Sequence, residues 1–137
     1  MPIAYSDRKD LPGRQIADLF YAVGWSDQRE TDEAHLKYYA LPFINSTFVI
    51  SAWDGETLVG CVRALSDQVF RSVIYDLAVL PGYQGQGIGK ELLRLCRAQC
   101  PGSEWLLATV PERVGFYEKK GFQRLEEPVM QLPCQWF

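Results

Sequence analysis

The stretch from Val73 to Leu93, VIYDLAVLPGYQGQGIGKELL, constrains the fold more than any other part of the chain. A β-rich run leads through Pro81-Gly82 into glycines at alternate positions, Gly85, Gly87 and Gly89, and then into a helical pattern. Backbone without Cβ atoms can bend closely round a ligand. Free N–H groups ahead of a helix, with the positive end of its dipole, form a cradle for an anion, and Lys90 adds a charge in the first turn. A phosphate or pyrophosphate suits that cradle. The alternative is a tight strand-to-helix connection with no ligand, for which three glycines are costly, at about 0.5–1 kcal/mol each in regular structure. A Walker-type loop does not fit, because Gln84 and Glu91 stand where it needs Gly and then Ser or Thr. A dinucleotide fingerprint opening at Gly85 fails too, because Lys90 stands where it needs Gly or Ala.

The rest of the pattern alternates helices and strands. A short strand is expected at Ile3–Ser6 and a helix over Gly13–Val23, with Ile16, Leu19, Phe20 and Val23 at helical spacing. A weaker helix is expected over Asp32–Leu41, ended by Pro42. Thr47–Trp53 and Thr57–Leu65 read as a hairpin turned at Asp54-Gly55, followed by a strand over Ser72–Val79. The glycine turn opens a helix over Gly87–Gln99, with Ile88, Leu92, Leu95 and Gln99 on one face. A strand over Glu104–Val110, a short helix over Arg113–Lys120 capped by Gly121, and a closing strand or hairpin over Phe122–Leu132 complete the order. Three successive strands in the middle favour antiparallel pairing, so the fold class is a mixed α/β sheet in one domain, 1–137.

With 14 Lys and Arg against 17 Asp and Glu, the chain carries a net charge of -3 and no basic stripe, which argues against a nucleic-acid partner. Its apolar runs fall short of the roughly 20 residues of a membrane span, and MPIAYSDRKD lacks a signal-peptide core, so a cytoplasmic protein is expected. Cys61, Cys96, Cys100 and Cys134 form no CxxC pair, and with His35 as the one histidine no metal site is expected; the thiols read as structural, in a reducing compartment.

Gln84-Gly85-Gln86-Gly87-Ile88-Gly89 resembles the Q/R-x-x-G-x-G/A signature of the GNAT (Gcn5-related N-acetyltransferase) family. Leu77-Ala78-Val79 before it is similar to that family's preceding strand, and Phe116-Tyr117-Glu118-Lys119-Lys120-Gly121-Phe122 to its FYEKxGF segment. The resemblance implies a mostly antiparallel sheet of six or seven strands with about four helices, splayed in a V between strands 4 and 5, with acetyl-CoA in the cleft. It implies that the amides of Gln84, Gly85, Gln86, Gly87, Ile88, Gly89 and Lys90 hold the pyrophosphate, and that the backbone of Leu77, Ala78 and Val79 meets the pantetheine arm as an added strand. Tyr117 corresponds to the tyrosine that protonates or hydrogen-bonds the leaving thiolate, and Phe116 to a packing or cofactor contact.

Acetyl transfer to an amine needs the free base. For a lysine-like amine about one molecule in 2,500 is neutral at pH 7, a deficit of about 4.6 kcal/mol. Asp76, beside the pantetheine segment, is the first candidate for the general base; Glu112 and the acidic residues of 27–33 are alternatives, and His35 is a further titratable group. Asp76 also reads as a hydrogen-bonded carboxylate on the sheet face. In the family the first two helices wall the acceptor site. Here that region holds Tyr21, Trp25, Tyr38, Tyr39 and Phe43 beside Asp27, Glu30, Asp32 and Glu33, a combination suited to an amine on an apolar body or to core packing. The expected function is acetyl transfer from acetyl-CoA to a small-molecule amine; the alternatives are a non-catalytic acyl-CoA-binding module and a protein lysine or N-terminal acetyltransferase. The apolar run Val129–Phe137, with Trp136 and Phe137, suits either a homodimer interface or core packing.

Overall fold

Alternating apolar residues and turn signals in the middle of the chain build one sheet, and the helices cover it. The computed structural model describes residues 2–136. In chain order it contains β1 (Ala4–Ser6), α1 (Gly13–Ala22), α2 (Lys37–Ile44), β2 (Phe48–Asp54), β3 (Thr57–Ser66), β4 (Arg71–Val79), α3 (Ile88–Arg97), β5 (Glu104–Leu106) and α4 (Val114–Glu118). Short 3-10 turns lie at Glu33–His35, Pro81–Tyr83 and Pro111–Arg113. The sheet order follows the chain, antiparallel from β1 to β4 and parallel between β4 and β5. The mixed, mostly antiparallel α/β class is therefore as expected.

The sheet has five strands among the described residues, not six or seven. The expected closing strand over 122–132 does not form. Pro128, within that run, lacks the N–H a ladder needs. Leu125, Val129, Met130 and Leu132 are exposed there. The expected helix over 32–41 is instead the turn at Glu33–His35 followed by α2, which runs through Pro42 to Ile44. Phe43, fully buried in the core, holds that last turn in place, so packing outweighs the breaker. In α3 the buried face is Ile88, Leu92, Leu93 and Cys96, and Gln99 lies outside the helix and exposed.

α1 and α2 lie on one face of the sheet and α3 on the other. Ile16, Leu19 and Phe43 join Val49, Leu58, Cys61 and Ala78 in one buried cluster. On the opposite face, a Cβ added at Gly60 would stand 3.0 Å from a Leu92 methyl and 3.4 Å from Ile88. Two thiols sit in this interior: burial raises Cys61 well above the ordinary thiol range and pushes Cys96 up to about 12, so both are inert packing groups.

The join between β4 and β5 is short. Buried Ser72 bonds the hydroxyls of Ser66 (2.8 Å) and Ser103 (2.7 Å), and Glu104 N–H donates to Phe70 C=O (2.7 Å), which pins the start of β5. Pairing then covers three rungs and ends at Val73↔Leu106. From Ile74 to Val79, β4 has no strand on that edge among the described residues. The chain divides between Leu107 and Ala108 into two compact units, the second carrying the turn at Pro111–Arg113 and α4.

Gly13 opens α1 where no side chain fits: an added Cβ would lie 2.4 Å from the Leu36 carbonyl oxygen. Gly13→Ala is expected to cost about 1–3 kcal/mol through backbone displacement. A thermal melt should show a midpoint several degrees below that of the unaltered chain.

Candidate functional site

β4 leaves the sheet with its last backbone groups held. Leu80 N–H donates to Val59 C=O (2.8 Å), and the 3-10 turn at Pro81–Tyr83 follows, closed by Tyr83 N–H on Leu80 C=O (2.9 Å). The Tyr83 hydroxyl donates to Asp54 Oδ2 at 2.5 Å, tying the turn to the β2–β3 hairpin. Gly85 (φ +80) and Gly87 (φ +85) then reverse the chain in the left-handed region, and Gly87 caps α3. A Cβ at either glycine would meet nothing within 4 Å, so conformation, not crowding, demands glycine, and the space in front of both is open. Glu91 N–H is the first in α3 to find a helical partner, Gly87 C=O at 3.0 Å. Ahead of it, the N–H groups from Gly85 to Lys90 find no acceptor among the described residues. Lys90 is exposed beside them. The arrangement is an anion cradle of backbone donors at the positive end of a helix.

The free edge of β4 leads into this cradle. Leu80 N–H points toward β3, and so does Asp76 C=O, which accepts from the Cys61 thiol at 3.5 Å. Alternation therefore turns the N–H and C=O of Leu77 and Val79 outward, and those of Ala78 toward β3. The outward Val79 C=O accepts from Gln84 Nε2 at 2.9 Å, so the first residue of the glycine signature is fastened to the edge.

Asp76 stands at an irregularity. Cys61↔Ala78 and Arg63↔Tyr75 bracket one residue on β3 and two on β4, so Asp76 and Leu77 bulge. Asp76 takes φ +55. Its Oδ2 accepts from Arg63 Nε at 2.5 Å in a mostly covered ion pair.

In the second unit, Tyr117 is half-buried on α4, edge-on to Phe116 (ring centroids 5.1 Å) and Phe122 (5.7 Å). Burial raises its phenol above the ordinary range, against the lowering charge of Arg113. Lys120 places its ammonium 5.3 Å from the Phe116 ring centroid.

Comparison with known proteins decides what this geometry belongs to. Residues 45–124 match the family model described as an acetyltransferase (GNAT) domain. The chain belongs to the GNAT acetyltransferase family. An uncharacterized N-acetyltransferase, ycf52, of Pyropia yezoensis is 31% identical over 127 residues, covering 88% of this chain and 70% of that protein. A protein of Glycine max named histone acetyltransferase TAP1 is 41% identical over 130 residues, and this chain spans 56% of its length. Among solved structures, a GNAT family acetyltransferase from Streptococcus pneumoniae superposes with a TM-score of 0.80 at 26% identity, covering 98% of this chain and all of that one.

Within this GNAT domain, the wall expected on the acceptor side divides in two. Phe43 is fully buried, and Tyr39 packs on the core cluster and lies 6.3 Å from Phe20, ring to ring; both belong to packing. Tyr21 and Trp25 are exposed. Three of the four carboxylates have partners nearby: Glu30 Oε2 accepts from Asp32 N–H (3.2 Å), Asp32 Oδ1 from Ala34 N–H (2.9 Å), and Glu33 lies 3.8 Å from the Arg14 guanidinium. His35 lies in the 3-10 turn, 3.4 Å from Glu30 and 3.5 Å from Asp32. Glu112 is exposed in the second unit. Among the described residues, no group of three or more His, Cys, Asp or Glu is gathered as a metal site, and no helix is long and apolar enough to cross a membrane.

Sequence reading passed over two residues that shape the GNAT site. Tyr83 reaches a partner 29 positions away, which no local pattern reports. Arg63 carried a signal: it is a lone cation within the apolar run LVGCVRAL, next to a strand holding the lone anion Asp76. Gly87→Ala forces a side chain into φ +85 and is expected to cost roughly 1–2 kcal/mol despite the empty space around it. A denaturant melt with unchanged slope and lowered midpoint checks this.

Proposed function

We propose that this GNAT domain transfers the acetyl group of acetyl-CoA to a primary amine of a small molecule, by direct attack within a ternary complex. The observation that carries the reading is the run of backbone donors from Gly85 to Lys90 that find no acceptor among the described residues, beside two left-handed glycines with open space at their Cβ positions. A diphosphate supplies the acceptors those groups lack. Leu77 and Val79 offer outward donors and acceptors to an extended pantetheine arm, which completes β4 as an added strand. The family model runs from 45 to 124, across the division at Leu107, which supports reading both units as one acetyltransferase domain.

In the reaction the amine lone pair forms a bond to the thioester carbon, the C–S bond breaks, and its electron pair leaves on sulfur. Leu77 N–H, turned outward at the bulge, is assigned to the carbonyl oxygen as charge develops there. Tyr117, kept protonated by burial, is assigned as hydrogen-bond donor or acid to the departing thiolate, with Phe116 packed beside it. Asp76 enters as proton acceptor for the amine or as the residue that shapes the bulge; its ion pair with Arg63 favours the second role. Exposed Tyr21 and Trp25 favour an amine carried on an apolar or aromatic body. A rice relative named serotonin N-acetyltransferase 2, chloroplastic, 37% identical over 67 residues, points the same way, whereas the soybean histone acetyltransferase name supports a protein substrate instead. We place the activity in a reducing compartment, the cytoplasm being the first choice over the plastid that the rice name suggests. The exposed side chains of Leu125, Val129, Met130, Leu132 and Trp136 favour a homodimer; Phe137 lies outside the described residues.

Three measurements test this. Calorimetric titration with coenzyme A should show one saturable site, weakened at least tenfold by Gly87→Ala; no binding overturns the reading. A thiol-release assay with acetyl-CoA should respond to arylalkylamines or polyamines, and a response to a histone-tail peptide alone favours the protein substrate. Tyr117→Phe should lower kcat roughly 10²-fold. The alkaline limb of the unaltered enzyme should lie above pH about 10, since burial raises the phenol, and should vanish in that variant.

A further inference from the structure

Arg63 enters the roles assigned above only through its ion pair with Asp76, yet it meets four side chains at once. Its Nε donates to Asp76 Oδ2 at 2.5 Å and its Nη1 to Ser46 Oγ at 3.3 Å. The Ser46 hydroxyl in turn donates to Pro42 C=O at 2.6 Å, just inside the end of α2. The guanidinium carbon lies 5.1 Å from the Tyr75 ring centroid and 5.9 Å from that of Phe43. Arg63 is thus fixed from two rings, one hydroxyl and one carboxylate, and it is mostly covered. The carboxylate it holds belongs to the one residue of β4 in the left-handed region, φ +55, which is costly for a residue with a side chain. At that residue the peptide plane between Asp76 and Leu77 is set, with its C=O toward Cys61 and its N–H toward the free edge.

We infer that Arg63 is a positioning residue: by gripping Asp76 it holds the left-handed bulge and so aims the Leu77 N–H at the thioester carbonyl of bound acetyl-CoA. The inference rests on the reading that acetyl-CoA lies along Leu77–Val79. Arg63 touches no reacting atom. An ion pair under a cation–π cover resists rotation of Asp76 back into the extended region, and with that rotation the donor would turn away. The same chain of contacts links the bulge to α2 through Ser46 and Pro42, so the acceptor wall and the thioester contact share one anchor.

The test reads the carbonyl and needs no acceptor amine. Acetyl-CoA carrying ¹³C at the acetyl carbonyl is bound to the protein, and its resonance is compared with that of the free thioester. The unaltered chain should move the resonance downfield, as a hydrogen bond to the oxygen requires. Arg63→Met should return it most of the way to the free position while coenzyme A affinity by calorimetry changes less than threefold. Adding Asp76→Gly to that variant should restore the shift, because glycine takes φ +55 without help. Where Arg63→Met does not fold by circular dichroism, Arg63→Lys and Asp76→Gly alone carry the test: the first should weaken the shift and the second should keep it. An undiminished shift in Arg63→Met, failure of the glycine to restore it, or loss of the shift in Asp76→Gly alone overturns the inference. So does acetyl-CoA binding to the unaltered chain with no carbonyl shift. No binding at all overturns the cofactor reading itself, a result distinct from the others.

Discussion

Backbone donors without acceptors are the constraint on which the rest of this molecule depends. A buried or enclosed N–H must find a partner, and sheets and helices exist largely to supply one. From Gly85 to Lys90 the chain withholds that partner among the described residues while fixing the donors in place: Leu80 on Val59, Tyr83 on Asp54, Gln84 on Val79 and Gly87 as the cap of α3. The groups are pre-arranged, so little ordering remains to be done when an anion arrives. Two left-handed glycines make the arrangement possible, and an α3 packed through Ile88, Leu92, Leu93 and Cys96 makes it rigid.

The same withholding of partners occurs on β4. Three rungs to β5 end at Val73↔Leu106, after which the strand edge is left open. The serine cluster of Ser66, Ser72 and Ser103 holds the closed end, so the opening has a defined starting point. The bulge at Asp76-Leu77 sits in the open part, and Arg63 supports it from the neighbouring strand. Cradle, edge and bulge therefore follow one another along residues 74–90, each built from main chain and each held by side chains from elsewhere. Such a construction leaves the reacting groups' geometry dependent on packing beneath them.

Much of this was legible in the sequence. The alternate glycines announced a closely bent turn before a helix, and the structure puts Gly85 and Gly87 of that turn in the left-handed region. The hairpin at Asp54-Gly55 and the helical spacing of Ile16, Leu19 and Phe20 were equally plain, because period and turn chemistry are local. What stayed hidden has physical causes too. Pro42 marks a helix end on local grounds, and buried Phe43 overrides it. The run over 122–132 has strand-like composition, but it forms no ladder, and Pro128 within it has no N–H to give one. Composition left Tyr39 and Phe43 open to an acceptor site or to core packing, and contact with Phe20 and the core cluster assigns them to packing.

By itself the sequence determined the order of strands and helices as far as α4, the family and the glycine turn, because each of these is encoded within a few neighbouring residues. Tertiary structure alone decided that the pairing of β4 with β5 stops at Val73, that Asp76 lies at a left-handed bulge under Arg63, and that Tyr83 is tied to Asp54. Those features join residues 13 to 33 positions apart, as in Arg63–Asp76 and Val73–Leu106, and no local pattern specifies which distant groups will meet. Their meeting is settled by the packing of two helices on one face of the sheet and one on the other.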